Sequence, residues 1–262
     1  METEPDHDEI RARLFALQDT GYRAFHAKLV PTLDPACIIG VRTPKLRALA
    51  KEVAGTPAAE AFLARLPHRY YEENNLHGFL IERMRDFDEA AAATDAFLPF
   101  VNNWATCDSL SPKAFAAHPE QLLGKTKQWL ESDAAFTVRF GIGMLMQHFL
   151  DDRFEPRFLE EVAGIKSHGW PEAPATLPFQ AMNGPSGEAT ALPDASYYVN
   201  MMRAWYFATA LAKQPDAALV FFEECRLDER THNKAIQKAV ESRRIDADMK
   251  ARLRTLKRKG RK

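Results

Sequence analysis

Apolar residues recur along this chain every three to four positions and only rarely every second, so the pattern predicts helices almost throughout. Ile10, Leu14, Leu17 and Phe25 share one helical stripe, interrupted near Gly21. Thr43-Pro44, Thr56-Pro57 and Ser111-Pro112 each set a capping hydroxyl before a proline suited to the first helical turn. They lead into Leu46, Leu49 and Val53, into Ala61, Phe62 and Leu66, and into Phe115. Further helices are predicted at about 72–84, 88–100, 119–130, 134–150, 154–163, 195–212, 216–225, 229–242 and 246–258. Ala, Leu, Glu, Lys, Arg and Gln, which favour helix, dominate throughout. Short links between so many helices favour stacked pairs over a four-helix bundle. The expectation is an all-α fold, an α-solenoid or α-α superhelix, filling residues 1–262 as a single domain.

One segment breaks this pattern. Lys166 to Ser196 holds five prolines, three glycines and the turn-like Met-Asn-Gly-Pro-Ser-Gly stretch at 182–187. It reads as a long loop insertion: a surface excursion, or a lid anchored by Trp170 and Phe179.

Two middle helices are apolar nearly all round, which predicts burial. Phe136–Leu150 carries Arg139 as its lone basic residue, and Tyr197–Leu211 carries Arg203, with Trp205 near its middle. An arginine in such a helix needs an internal anion or a route to water along its stem. It reads as a structural ion pair, or as a cation lining a cleft.

Composition adds bounds. The chain has 35 Lys and Arg against 36 Asp and Glu, a net charge of −1. That excludes a surface that is basic everywhere. Eight of the cations lie in Lys250–Lys262, which has no acid, so the first 249 residues hold 27 basic and 36 acidic groups, a net of −9. Cys37, Cys107 and Cys225 are far apart and form no CxxC, against a disulfide framework or a cysteine zinc site. No apolar run approaches the roughly 20 residues of a membrane span. The acidic start, Met1-Glu-Thr-Glu-Pro, does not read as a signal peptide, so a cytoplasmic protein is expected.

Candidate chemistry is sparse. Gly141-Ile-Gly143 sits inside a helix and reads as close packing, not a dinucleotide loop. Tyr70-Tyr71-Glu72-Glu73-Asn74-Asn75 reads as a helix start or as a ligand-facing cluster, and His148 as a helix C-terminal residue. In Val101-Asn-Asn-Trp-Ala-Thr-Cys-Asp, Trp104 and Asp108 are four apart, which on a helix points an indole and a carboxylate the same way. Alone, that reads as a core tryptophan beside a solvated acid. With Arg139 and Trp205 it becomes a set able to hold a sugar or base and steady a developing cation.

Five stretches, in order, resemble the DNA alkylation repair family, the AlkD-like glycosylases of HEAT-like helical repeats. They are Ile39-Gly-Val-Arg-Thr-Pro-Lys-Leu-Arg, Asn103-Trp-Ala-Thr-Cys-Asp, Thr137-Val-Arg-Phe-Gly-Ile-Gly-Met, Asn200-Met-Met-Arg-Ala-Trp and Thr231-His-Asn-Lys-Ala-Ile-Gln-Lys. The resemblance implies excision of cationic alkylated purines, such as 3-methyladenine and 7-methylguanine, without metal or cofactor and without a base-flipping pocket. It implies catalytic roles for Trp104, Asp108, Arg139 and Trp205. The implied partner is double-stranded DNA, alkylated or distorted, bound by a monomer, with Arg42, Lys45, Arg203, Lys234 and Lys238 as expected contacts. Classical members carry an arginine three positions beyond the second tryptophan, where this chain has Ala208. Two alternatives stand beside excision: an inactive relative that binds distorted or branched DNA, and a helical scaffold for a protein partner.

Overall fold

A computed structural model gives the structure over residues 5–31, 33–170 and 195–259. These residues contain fifteen α-helices, two short 3-10 helices and no strand, so the fold is all-α. They group as two compact units, residues 5–118 and residues 119–170 with 195–259. Most of the loop expected at 166–196, Phe179 included, lies outside the described residues, as do Gly260–Lys262.

The first unit holds α1 (Pro5–Ala16), α2 (Thr20–His26), α3 (Thr43–Val53), α4 (Pro57–Ala64), α5 (Tyr71–Ile81), α6 (Phe87–Phe97), α7 (Trp104–Ser109) and α8 (Lys113–Ala117). Its main core joins Ile10 and Leu14 to Leu46, Leu49, Phe62, Leu76 and Phe79. The break in the first stripe falls before Asp19, not at Gly21, because Asp19 caps α2 by accepting the Tyr22 N–H. Phe25 is exposed rather than on the core stripe. Thr56 caps α4 as expected, accepting from Ala59. Thr43 is not a cap: Arg42 takes that position, without a side-chain bond. Nor is Ser111, since α8 starts one residue after Pro112.

Helix α5 is buried along its whole length and organises the unit. Glu72 accepts the backbone N–H groups of Ile39, Gly40 and Val41 at 2.7–3.1 Å. Burial raises its pKa, and these three donors work against that rise. Glu73 accepts from the Arg11 side chain and the Arg69 and Tyr70 N–H groups. The Tyr70–Asn75 stretch is therefore a helix start that ties segments together. Gly40 sits at φ 96°, and a Cβ there would lie 2.6 Å from Arg23 Cβ and 2.7 Å from the Asp19 carbonyl oxygen, so only glycine fits.

The second unit holds α9 (Pro119–Leu130), α10 (Ala135–His148), α11 (Arg157–Gly164), α12 (Ala195–Lys213), α13 (Pro215–Glu223), α14 (Glu229–Glu241) and α15 (Ala247–Thr255). Helix α12 packs on α10 and on α14, while α3, α5 and α7 follow the same every-second-helix order in the first unit. That order is what stacked helical pairs produce. Gly141 allows the close approach of α9, where an added Cβ would meet Trp129 and Leu130 at 3.1–3.3 Å.

The basic C-terminal segment is packed down as far as it is described. Asn233 of α14 donates to the Arg258 carbonyl at 2.8 Å and accepts its N–H at 2.9 Å. Arg258 also donates to the Leu227 carbonyl, and Arg252 pairs with Glu223.

Candidate functional site

Helix α7 is only six residues long, so its surroundings must fix it. Asn103 caps it, accepting the Thr106 N–H at 2.9 Å. The Asn103 amide donates to the Thr106 hydroxyl, which donates to Asn75 Oδ1 of α5 at 2.8 Å. Trp104 donates its indole N–H to the Leu29 carbonyl and packs, with Ala105, against the cluster of Val30, Leu33, Ile38 and Tyr71. Asp108 follows one turn later, half-buried like Trp104. A carboxylate in a last helical turn gains nothing from the helix dipole, which there favours a cation. The sequence spacing thus places an indole and a carboxylate on one short helix held at three points.

Arg42 and Lys45, at the start of α3, are both exposed. Arg42 lies 4.8 Å from the Tyr22 ring centroid and donates to Asp19 at 3.0 Å. The Tyr22 N–H, and then Arg42, hold the Asp19 carboxyl below its usual range.

In the second unit, Arg139 is 5% exposed and donates to the Tyr198 carbonyl at 2.6 Å, fastening α10 to the first turn of α12. Arg203 is 2% exposed. Its guanidinium donates to the Val162 and Ala163 carbonyls at the end of α11, and to Asn200, Thr231 and Asp228, the last at 2.7 Å. Asp228 is itself the N-cap of α14. A cation at the C-terminus of α11 and an anion at the N-terminus of α14 suit both helix dipoles. Burial pulls Arg203 below its usual pKa, and Asp228 opposes it. Burial works to raise Asp228, but its bonds to Thr231 and Arg203 outweigh that and hold the carboxyl low. The expectation of Arg203 as a DNA contact is corrected accordingly: its donors are spent inside the unit.

Trp205, by contrast, is 43% exposed. It lines a cleft of about 260 Å³ between α12 and the end of α14, with Thr209, Lys238, Glu241, Ser242 and Arg244. Lys238 Nζ lies 5.8 Å from the Trp205 ring centroid. Lys234, one turn before Lys238, donates to Gln237. Ala208 is buried and lines the same cleft, where its methyl leaves room that an arginine would take. The cleft thus brings Trp205 and Lys238, both expected from the sequence, together with Ser242 and Arg244, which the sequence did not single out. The signal was the Ser-Arg-Arg run just past the helix, where Ser242 Oγ accepts the Arg244 N–H and turns the chain.

Among the described residues no group of three His, Cys, Asp or Glu side chains is placed to hold a metal ion, and no helix is long and apolar enough to cross a membrane. A comparison with curated proteins finds no match. The family model described as DNA alkylation repair enzyme matches residues 10–165. That is more than half of the chain, and it takes in α7 and α10 with Trp104, Asp108 and Arg139, while Trp205 lies beyond it. The chain belongs to the family of DNA alkylation repair enzymes, and its role lies in DNA repair.

Proposed function

We propose that this protein removes cationic alkylated purines, such as 3-methyladenine and 7-methylguanine, from DNA by hydrolysing the N-glycosidic bond. The observation that carries this reading is the Trp104–Asp108 pair on the braced helix α7, inside the segment that matches the family. A base that already bears a positive charge leaves without a strong acid. Its C1′–N bond breaks with the electron pair going to the base, and the sugar becomes oxocarbenium-like. Asp108 stabilises that charge and orients the water whose oxygen bonds to C1′, as carboxylates do in glycoside hydrolysis. The Trp104 ring adds a cation–π contribution of about 0.5–2 kcal/mol. Trp205 has a similarly available ring, and the resemblance assigns it to the sugar of the lesion. Arg139 acts as a positioning residue, since it fastens the helix that carries Trp205. Arg42, Lys45, Lys234 and Lys238 supply phosphate contacts that do not depend on sequence.

The test is release of 7-methylguanine from methylated duplex DNA. Wild type releases the base; Asp108→Asn releases it at least about 10²-fold more slowly, at unchanged thermal stability. No release by folded wild type overturns excision. One observation favours the second reading, a relative that binds distorted DNA without cutting it: Ala208 stands where classical members carry an arginine. That reading expects duplex binding that weakens with salt and no free base.

A further inference from the structure

Helix α5 divides its side chains between two tasks. Leu76, Phe79 and Leu80 join the main core with Leu46, Leu49 and Phe62. Tyr71 instead joins Val30, Leu33 and Ile38, the cluster against which Trp104 and Ala105 of α7 pack. Asn75 lies one turn after Tyr71 and is 5% exposed, while its partner Thr106 is 2% exposed. Asn75 Oδ1 accepts the Thr106 hydroxyl at 2.8 Å. The Asn75 amide also donates to the Tyr71 hydroxyl, a bond that favours the phenolate where burial pushes Tyr71 up to about 12. One amide therefore serves both the polar and the apolar contact of α7 with α5. Stability does not demand a polar pair here, since two apolar side chains of similar shape would hold about as well. What the hydrogen bonds add is direction: a buried polar network specifies one arrangement, whereas apolar surfaces accept several. Helix α7 has six residues, too few to hold its own setting, and Asp108 stands on it two positions beyond Thr106. A reacting group misplaced by about 1 Å loses about 10²-fold in rate.

We propose that Asn75 is a positioning residue: through the Thr106 hydroxyl it fixes the setting of α7, and with it the place of the Asp108 carboxylate. Its effect on the reaction rests on Asp108 as the carboxylate of base excision, as in the reading above; its effect on α7 does not. Asn75 touches no substrate in this role. It acts on the rate of the chemical step and leaves affinity for the duplex as it is.

The test compares Asn75→Leu, Thr106→Val, their double variant and Thr106→Ser in the full-length protein, with circular dichroism melts of each to confirm folding. Single-turnover release of 7-methylguanine from methylated duplex should slow about 10- to 100-fold in Asn75→Leu and Thr106→Val, at unchanged duplex affinity. Thr106→Ser keeps the hydroxyl and should keep most of the rate. In the double variant, stability should recover while the rate stays low, which a purely structural pair would not produce. A second readout needs no excision. In protein labelled with 5-fluorotryptophan, the Trp104 resonance is identified by its loss in Trp104→Phe. It should be one sharp line in wild type and Thr106→Ser, and shifted or broadened in Asn75→Leu, Thr106→Val and the double variant. A double variant with wild-type rate, or a Trp104 line that none of the variants moves, overturns the proposal. If folded wild type releases no base, excision fails, and the fluorine signal alone decides whether Asn75 sets α7.

Discussion

The Trp104 indole N–H donates to the Leu29 carbonyl at 3.1 Å, a bond that joins residues 75 positions apart. It makes Trp104 an anchor of α7 as well as the aromatic residue one helical turn before Asp108. The two roles separate by substitution. Trp104→Phe keeps a ring but loses the donor, so stability should fall by about 0.5–1.5 kcal/mol in denaturant melts. Trp104→Ala also loses packing against Val30 and Ile38 and should cost more. If the two variants lose the same stability, the ring does not anchor the helix.

Gly40 tests the turn whose backbone N–H groups Glu72 of α5 holds. Gly40→Ala forces a side chain into a left-handed backbone and against Arg23 and Asp19. The expected loss is at least about 2 kcal/mol, from backbone strain and overpacking together. An unchanged urea midpoint would show that the turn relaxes freely.

Acid should unfold the first unit through His77. Its Nδ1 lies 2.9 Å from His68 Nε2, and Phe62 and Phe97 stack on the two rings, each at 4.3 Å. Burial pushes His77 from 6.5 down to about 3. The unfolded chain therefore takes up a proton near pH 6.5 that the folded chain refuses until about pH 3. Stability is full above pH 6.5 and falls as pH drops through this window, by at most about 1.4 kcal/mol per pH unit. Urea melts at several pH values measure the slope, and His77→Leu should flatten it. A wild-type profile level between pH 7 and pH 4 would contradict this.

Arg203 predicts a split between stability and binding. Arg203→Lys keeps the charge but cannot reach the carbonyls of α11, Asn200, Thr231 and Asp228 together. Stability should fall by about 1–3 kcal/mol, since buried partners lose their donor. The salt dependence of DNA binding should stay as in wild type, at temperatures where both are folded. A shallower slope would return Arg203 to the DNA-contact set.

Helix α9 was legible in the sequence to its last residue, because Pro119 opens it and its apolar face repeats cleanly. Local rules failed where the tertiary surroundings decide. Thr43 and Ser111 both precede proline, yet neither caps, because the helix frame shifts by a residue at each. The apolar runs around Arg139 and Arg203 announced burial correctly. They could not say which acceptors wait inside, since Val162, Ala163 and Asp228 lie about 25 to 41 residues from Arg203 and come together only on folding. The Trp104–Asp108 spacing was readable because one helix turn sets it. The Trp205 cleft was readable only in part, because Arg244 joins through a turn, and turns break the periodicity that identifies a face.

The docked C-terminal segment has a mechanical consequence. Its backbone is stitched to Asn233, and the Leu256 carbonyl lies 2.9 Å from His232 Nε2, on the same helix that holds Lys234 and Lys238. A deletion after residue 249 would cut a strap as well as remove charge, so weaker DNA binding in a truncated protein would not by itself assign the tail to phosphate. Charge reversal at Lys257 and Lys259, whose side chains are exposed, leaves the strap tied and isolates the electrostatics. For this helix, the end of the chain is a back-stay before it is a counterion.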